Sequence, residues 1–274
     1  MFLKLPGTRL FRGVLTPVIP VVLIVTALFL LSLGGCAKKN EIETRLLDDP
    51  KYENWEFFTY KNIKIFHQPD HLQQERFPDI AEKYLFSIRT IQNILKLPPF
   101  TDTLYVVYYT GFGQGREMTG REYPFTENGV IYFWQPSYLG PTLVRYFLPH
   151  WAPEEPKHLF LKHGLISLLD FSGQDYHEFT RRFIENGKFE PLAELAVDTV
   201  INSDLERNQS GEAASFVAFI LANYGEEKLR LMYKSVMPFD RTVRDMFLMP
   251  VDTLQERWLE FVEQNLVPAD TAGR

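Results

Sequence analysis

Cysteine is almost missing from this 274-residue chain: Cys36 stands alone, which excludes an internal disulfide framework and any zinc site built from several thiolates. No run of five Lys or Arg occurs, and acids outnumber bases 35 to 29, so the charge pattern of a nucleic-acid-binding domain is absent. No G-x-S-x-G elbow, P-loop or G-x-G-x-x-G is present; Gly111-Phe112-Gly113-Gln114-Gly115 lacks the phosphate-binding Lys. Internal repeats and low-complexity tracts are also lacking. What the chain does have is apolar mass. It is 45% hydrophobic, with 23 Phe, 13 Tyr and 4 Trp, enough for a substantial core.

The lone cysteine follows a targeting pattern. Lys4, Arg9 and Arg12 precede a 20-residue apolar run, Val14–Leu33, and then come Gly34, Gly35 and Cys36. A basic start, an apolar stretch and small residues before a cut describe a secretory signal. Leu33-Gly34-Gly35-Cys36 resembles the bacterial lipobox, in which small residues admit the peptidase and the thiol accepts the lipid. The resemblance implies a signal peptide over 1–35 and lipidation, palmitate included, at Cys36. An uncleaved anchor is the alternative, since about 20 residues can span a bilayer. Removing residues 1–35 takes away three bases and no acid, leaving the remainder near -9. Such a surface is repelled by anionic lipid, so the acyl chain and not a basic patch would hold the protein at the membrane. Ala37 in place of aspartate resembles an outer-membrane sorting signal, with the domain facing the periplasm in a host with two membranes.

Beyond the cysteine, residues 36–53 are polar and read as a tether. The segments Phe57–Tyr60 and Ile63–Phe66 flank Lys61-Asn62 as a hairpin. A helix is predicted from about Phe77 to Leu97 on the spacing of Ile80, Tyr84, Ile88, Ile91 and Leu95, stopped by Pro98-Pro99. Thr103–Tyr109 and Gly129–Trp134 are predicted strands, and Thr110–Gly120, with four glycines, reads as a mobile loop. From Leu139 onward the pattern is helical, at roughly 139–148, 157–170, 174–185, 191–201, 211–223, 226–236, 240–247 and 252–265. The fold class is therefore α+β: a small N-terminal sheet with a packed helix (54–136), then a mainly α-helical half (137–268). Tyr105, Tyr108, Tyr109, Tyr132, Phe133 and Trp134 alternate on the two strands, half of them for the core and half for a face or a cleft wall.

This order, with Leu95-Lys96-Leu97-Pro98-Pro99, Phe160–Ile166, Ala214–Leu221, Tyr224–Leu229 and Leu254–Phe261, resembles the gluzincin-like (peptidase-MA-like) family over about residues 55–265. The resemblance implies a zincin-like fold with a ligand helix carrying HExxH and a second helix carrying a Glu ligand. HExxH is absent from this chain. Pro141 and Arg145 stand where the two His would be, Thr142 where the general base would be, and His163 where the Glu ligand would be. A cation at Arg145 opposes a divalent ion. The resemblance thus implies a degenerate, zinc-free pseudo-peptidase without a catalytic set or cofactor, suited to binding or scaffolding. Arg145 and His163 form its candidate ligand pocket, which a peptide or envelope polymer bearing carboxylates would fill. The rival reading is a hydrolase with relocated ligands at His150, His158 and His163, although His158 and His163 point about 140° apart on a helix. The paired acids Asp48-Asp49, Glu154-Glu155 and Glu226-Glu227 read as solvated.

Overall fold

The computed structural model describes residues 41–69, 71–197 and 207–265. The signal segment and Cys36 lie outside these residues, as do 198–201 of one expected helix and the end of the 54–268 domain. The chain divides into two units, Met1–Asp48 and Asp49–Arg274. In the first, residues 41–47 are helical (α1), so this stretch is not the plain tether that its polarity suggests.

The second unit opens earlier than the expected residue 54. Asp49 caps a 3₁₀ turn over Pro50–Tyr52 by accepting from the Lys51 N–H, and Tyr52 is buried. Its hydroxyl meets that of Tyr109 at 2.8 Å, and the Trp55 ring packs against Tyr52, Phe66 and Tyr109. Apolar burial of these rings ties the segment to the sheet and ends its freedom as a linker.

The expected hairpin is present. Strands β1 (Glu56–Tyr60) and β2 (Ile63–His67) pair antiparallel with Phe57 opposite Phe66. β3 (Leu104–Tyr108) lies parallel to β2, and β5 (Val130–Phe133) parallel to β3. A short strand that the sequence did not announce, β4 (Phe125–Glu127), closes the edge antiparallel to β5, giving the order β1-β2-β3-β5-β4. Alternation sends Ile63, Ile65, Val106 and Ile131 into the main core with helix α2 (Phe77–Ile94). That helix buries Phe77, Ala81, Tyr84, Leu85, Ile88 and Ile91 at helical spacing and stops at Ile94, three residues short of the expected Leu97.

Thr110–Gly120 is not a loop. It holds helix α3 (Phe112–Thr119), and two of its glycines serve packing and capping. A Cβ on Gly115 would stand 2.5 Å from the Trp134 indole, so only glycine lets the helix lie on that ring. Gly120 takes the left-handed cap conformation (φ 69°) and donates its N–H to Arg116 O.

The helical half follows the expected order with shifted ends: α4 (Gly140–Trp151), α5 (Leu159–Leu168), α6 (Tyr176–Glu185), α7 (Leu192–Leu195), α8 (Arg207–Tyr233), α9 (Phe239–Phe247) and α10 (Val251–Gln264). Gly225 (φ 82°) breaks α8 near the boundary expected between two helices. α4 packs on α2, β4, β5 and α5, and α5 lies along α8. The class is α+β, a five-stranded sheet followed by a mainly helical half.

Candidate functional site

The C-terminal ends of parallel strands are where side chains from several segments converge around a ligand in open sheets. Here the ends of β3 and β5 form the floor of a cavity of ≈ 700 Å³, through Tyr108, Phe133 and the following Gln135. One wall is α2. Arg76, Ile80, Lys83 and Ser87 recur along it at spacings of four and three, which sets them on a single stripe facing the cavity. The other wall is Ser137, Tyr138 and Leu139 from the strand-to-helix loop, with Phe171 from the turn after α5.

Large apolar side chains rim this cavity without being buried by it. Phe86 is 66% exposed, Tyr138 58% and Phe171 36%. Three uncovered aromatic rings around one concavity present faces that an apolar ligand would bury.

Beneath the floor the structure is tightly packed. Tyr108 sits against Phe133 and against the His71 ring, and Phe77 contacts Tyr108, His67 and His71. Gln73 N–H donates to His71 Nδ1 at 3.0 Å, which places the ring proton on Nε2; burial pushes the His71 pKa down, so the ring is neutral. Burial drives the Tyr108 phenol up to about 12, opposed by the nearby Arg76 and by a hydrogen bond with Gln135, so it stays protonated at neutral pH. Behind it the Tyr84 hydroxyl is fully buried with no partner among the described residues, and burial raises its pKa well above the ordinary phenol value.

The electrostatics of the cavity are one-sided. Among the described residues, Arg76, Lys83 and Arg89 line it, with Glu82 as the one acid. Glu82 accepts from Tyr60 Oη and Lys61 Nζ, each at 2.6 Å, and these contacts hold its carboxyl below the usual range. No histidine lines the cavity. The lining thus offers ring faces and cationic groups by which a molecule can be held.

The residues singled out from the sequence lie elsewhere. Pro141 is in the first turn of α4, and Thr142 Oγ1 donates to Leu139 O at 2.9 Å, so the threonine closes the helix start and is no base. Arg145 extends from α4 with an exposed side chain, although the protein mass around its guanidinium lowers its pKa by desolvation. His163, half-buried on α5, is near enough that Arg145 helps to depress its pKa, after desolvation and Lys162. The two residues therefore feel each other's charge across α4 and α5. Their surroundings are less positive than expected. The hollow beside Arg145 is only ≈ 190 Å³, His163 does not line it, and Glu154 and Glu155 do. Glu155 takes Lys162 Nζ at 2.6 Å, so this acid is not merely solvated. Glu226 likewise accepts from Trp151 Nε1 at 2.5 Å.

The three histidines of the rival reading are held apart. His150 contacts its own helix at Tyr146 O, and His158 Nε2 donates to Met237 O at 2.9 Å. No group of three potential metal ligands is gathered among the described residues. One Ser–His contact does occur: Ser215 Oγ lies 2.9 Å from His177 Nδ1 and accepts from Trp258 Nε1 at 3.0 Å. Ser215 is fully buried, so this is an internal brace between α6, α8 and α10.

Sequence reasoning reached Tyr108 and Phe133 as possible wall residues and missed the rest of the cavity. No family model, curated protein or solved structure matches the chain.

Proposed function

We propose that the chain is a lipid-anchored binding protein of the bacterial cell envelope, built on a peptidase-like scaffold that does not cut. The binding role rests on the cavity at the ends of β3 and β5, with its uncovered aromatic rim and its bases, of which Arg76 and Lys83 form no ion pair with a described residue. Its volume lies inside the range of about 300–1,000 Å³ typical of small-molecule sites. The peptidase-like reading is supported by the order of elements, a sheet followed by α4 and α5, and by Arg145 lying near enough to His163 to influence its charge. Lipid attachment at Cys36 and an outer-membrane position facing the periplasm rest on the sequence of residues 1–37. No helix among the described residues is long and apolar enough to cross a membrane.

The test pairs activity with binding. Full-length protein in detergent, with zinc or with a chelator, is offered a fluorescent casein substrate and, separately, 1-naphthaleneacetamide. Saturable binding of the amide without hydrolysis in either condition is the expected result. Zinc-dependent cleavage would replace this reading with the hydrolase one.

A further inference from the structure

We infer that the cavity is built for an amphipathic anion, a small molecule with an apolar, preferably flat, body and a carboxylate or phosphate group. The inference rests on the reading of this cavity as a binding site and names its ligand class.

Charge complementarity carries the argument. The chain as a whole is acidic, at -6, yet the described residues that line the cavity include three bases and one acid. That acid, Glu82, already holds Lys61 and Tyr60. Neither Arg76 nor Lys83 forms an ion pair with a described residue; Arg76 reaches only the Gln73 side chain, at 3.1 Å. The two are seven residues apart at the start and in the second turn of α2, about 10 Å along its axis, on the same stripe. Both are exposed on the cavity side, so an incoming anion meets two cations that no described acid holds. Guanidinium and ammonium groups bind carboxylate and phosphate through charge-assisted hydrogen bonds. Concave apolar walls strengthen that attraction by displacing water.

The body of the ligand follows from the opposite wall. Phe86, Tyr138 and Phe171 offer ring faces, and the floor is Phe133 with the protonated Tyr108. Hydroxyl and amide groups at Ser137 and Gln135 add neutral hydrogen-bonding positions beside the rings. Among the described residues a cationic ligand would find one carboxylate there, already accepting from Tyr60 and Lys61.

Four naphthalene probes separate the possibilities: the acetate, the phosphate, the neutral acetamide and the methylammonium. Each is titrated into full-length protein in neutral detergent, with a micelle-only control. The acetate, the phosphate or both should bind at least about tenfold more tightly than the amide, and whichever gains more identifies the headgroup. The double variant Arg76→Gln/Lys83→Gln should bring the anions down to the affinity that the amide shows for the same variant, a loss of about ten- to a hundredfold. Raising salt from about 0.05 to about 0.5 M should weaken only the anions in the wild-type protein. Amide binding as tight as that of both anions, methylammonium binding tightest, or a double variant that keeps the anion preference would each overturn the inference. In those cases the cavity still stands as a binding site. Failure of all four probes would remove both readings. Both substituted side chains are exposed, and unchanged circular dichroism verifies the fold of the variant.

Discussion

Gly164 on α5 and Ala213 on α8 are in backbone contact: a Cβ added to the glycine would stand 2.5 Å from the Ala213 carbonyl oxygen. Backbone cannot step aside as a side chain does, so the spacing of these two helices depends on a missing methyl group. Gly164→Ala should lower stability by about 1–3 kcal/mol through overpacking, against the small gain that alanine brings to an unhindered helix. Denaturant unfolding of the two proteins checks this, and an equal or higher midpoint in the variant would show that α5 and α8 can part without cost.

A second prediction concerns the buried pair Tyr52 and Tyr109, whose hydroxyls lie 2.8 Å apart. Burial raises the pKa of both, so each stays a neutral phenol. Replacing either one with Phe leaves the other hydroxyl buried without this partner, at a cost of about 1–3 kcal/mol, whereas replacing both removes the polar pair together. The double variant should therefore be less destabilised than the sum of the singles. Additive losses would mean that the hydroxyls do not act as a pair, and that residues 49–55 are held by ring packing alone.

A third follows from Glu212, which is 1% exposed on α8. Burial lifts its carboxyl to about 7, and Glu190 adds to the rise by charge while its backbone N–H opposes it at 3.1 Å. The folded state therefore keeps a proton that the unfolded chain loses near pH 4.5. Stability from this site is greatest below that value and declines as pH rises toward about 7, by up to about 3 kcal/mol. Glu212→Gln should abolish the decline, so its advantage in melting temperature over the wild-type protein grows between pH 5 and pH 8. Parallel curves for the two proteins would exclude Glu212 as the source.

Local pattern was enough wherever local pattern decides the structure. The hairpin was legible because Phe57–Tyr60 and Ile63–Phe66 are β-prone on both sides of a two-residue turn, and Lys61 takes a positive φ there. α2 was legible from its apolar spacing. α3 was not, because four glycines in eleven residues have the composition of a loop; Gly115 is explained only by Trp134, nineteen residues on. β4 is three residues long and gains its identity from pairing with β5.

The cavity was the hardest feature to foresee. Its walls come from α2, the ends of β3 and β5, the following loop and Phe171, which meet only in the folded chain. One signal did exist in the sequence: Phe86 falls far from the stripe of Tyr84 and Ile88, an aromatic on the polar side of an amphipathic helix. The resemblance drew attention instead to Arg145 and His163; the hollow beside Arg145 has less than a third of the volume, acids in its wall and no contribution from His163.

The most direct test of the account fills the cavity from within. Ser137 is half-buried in the wall, so Ser137→Trp would place an indole in the space that a ligand needs. Titrating 1-naphthaleneacetamide into full-length wild-type protein and this variant, with unchanged circular dichroism as the check on folding, isolates occupancy of the cavity from charge. The account predicts saturable binding to one site in the wild-type protein and at least a tenfold loss, about 1.4 kcal/mol, in the variant. Equal affinity in both proteins, or no binding to either, would contradict it.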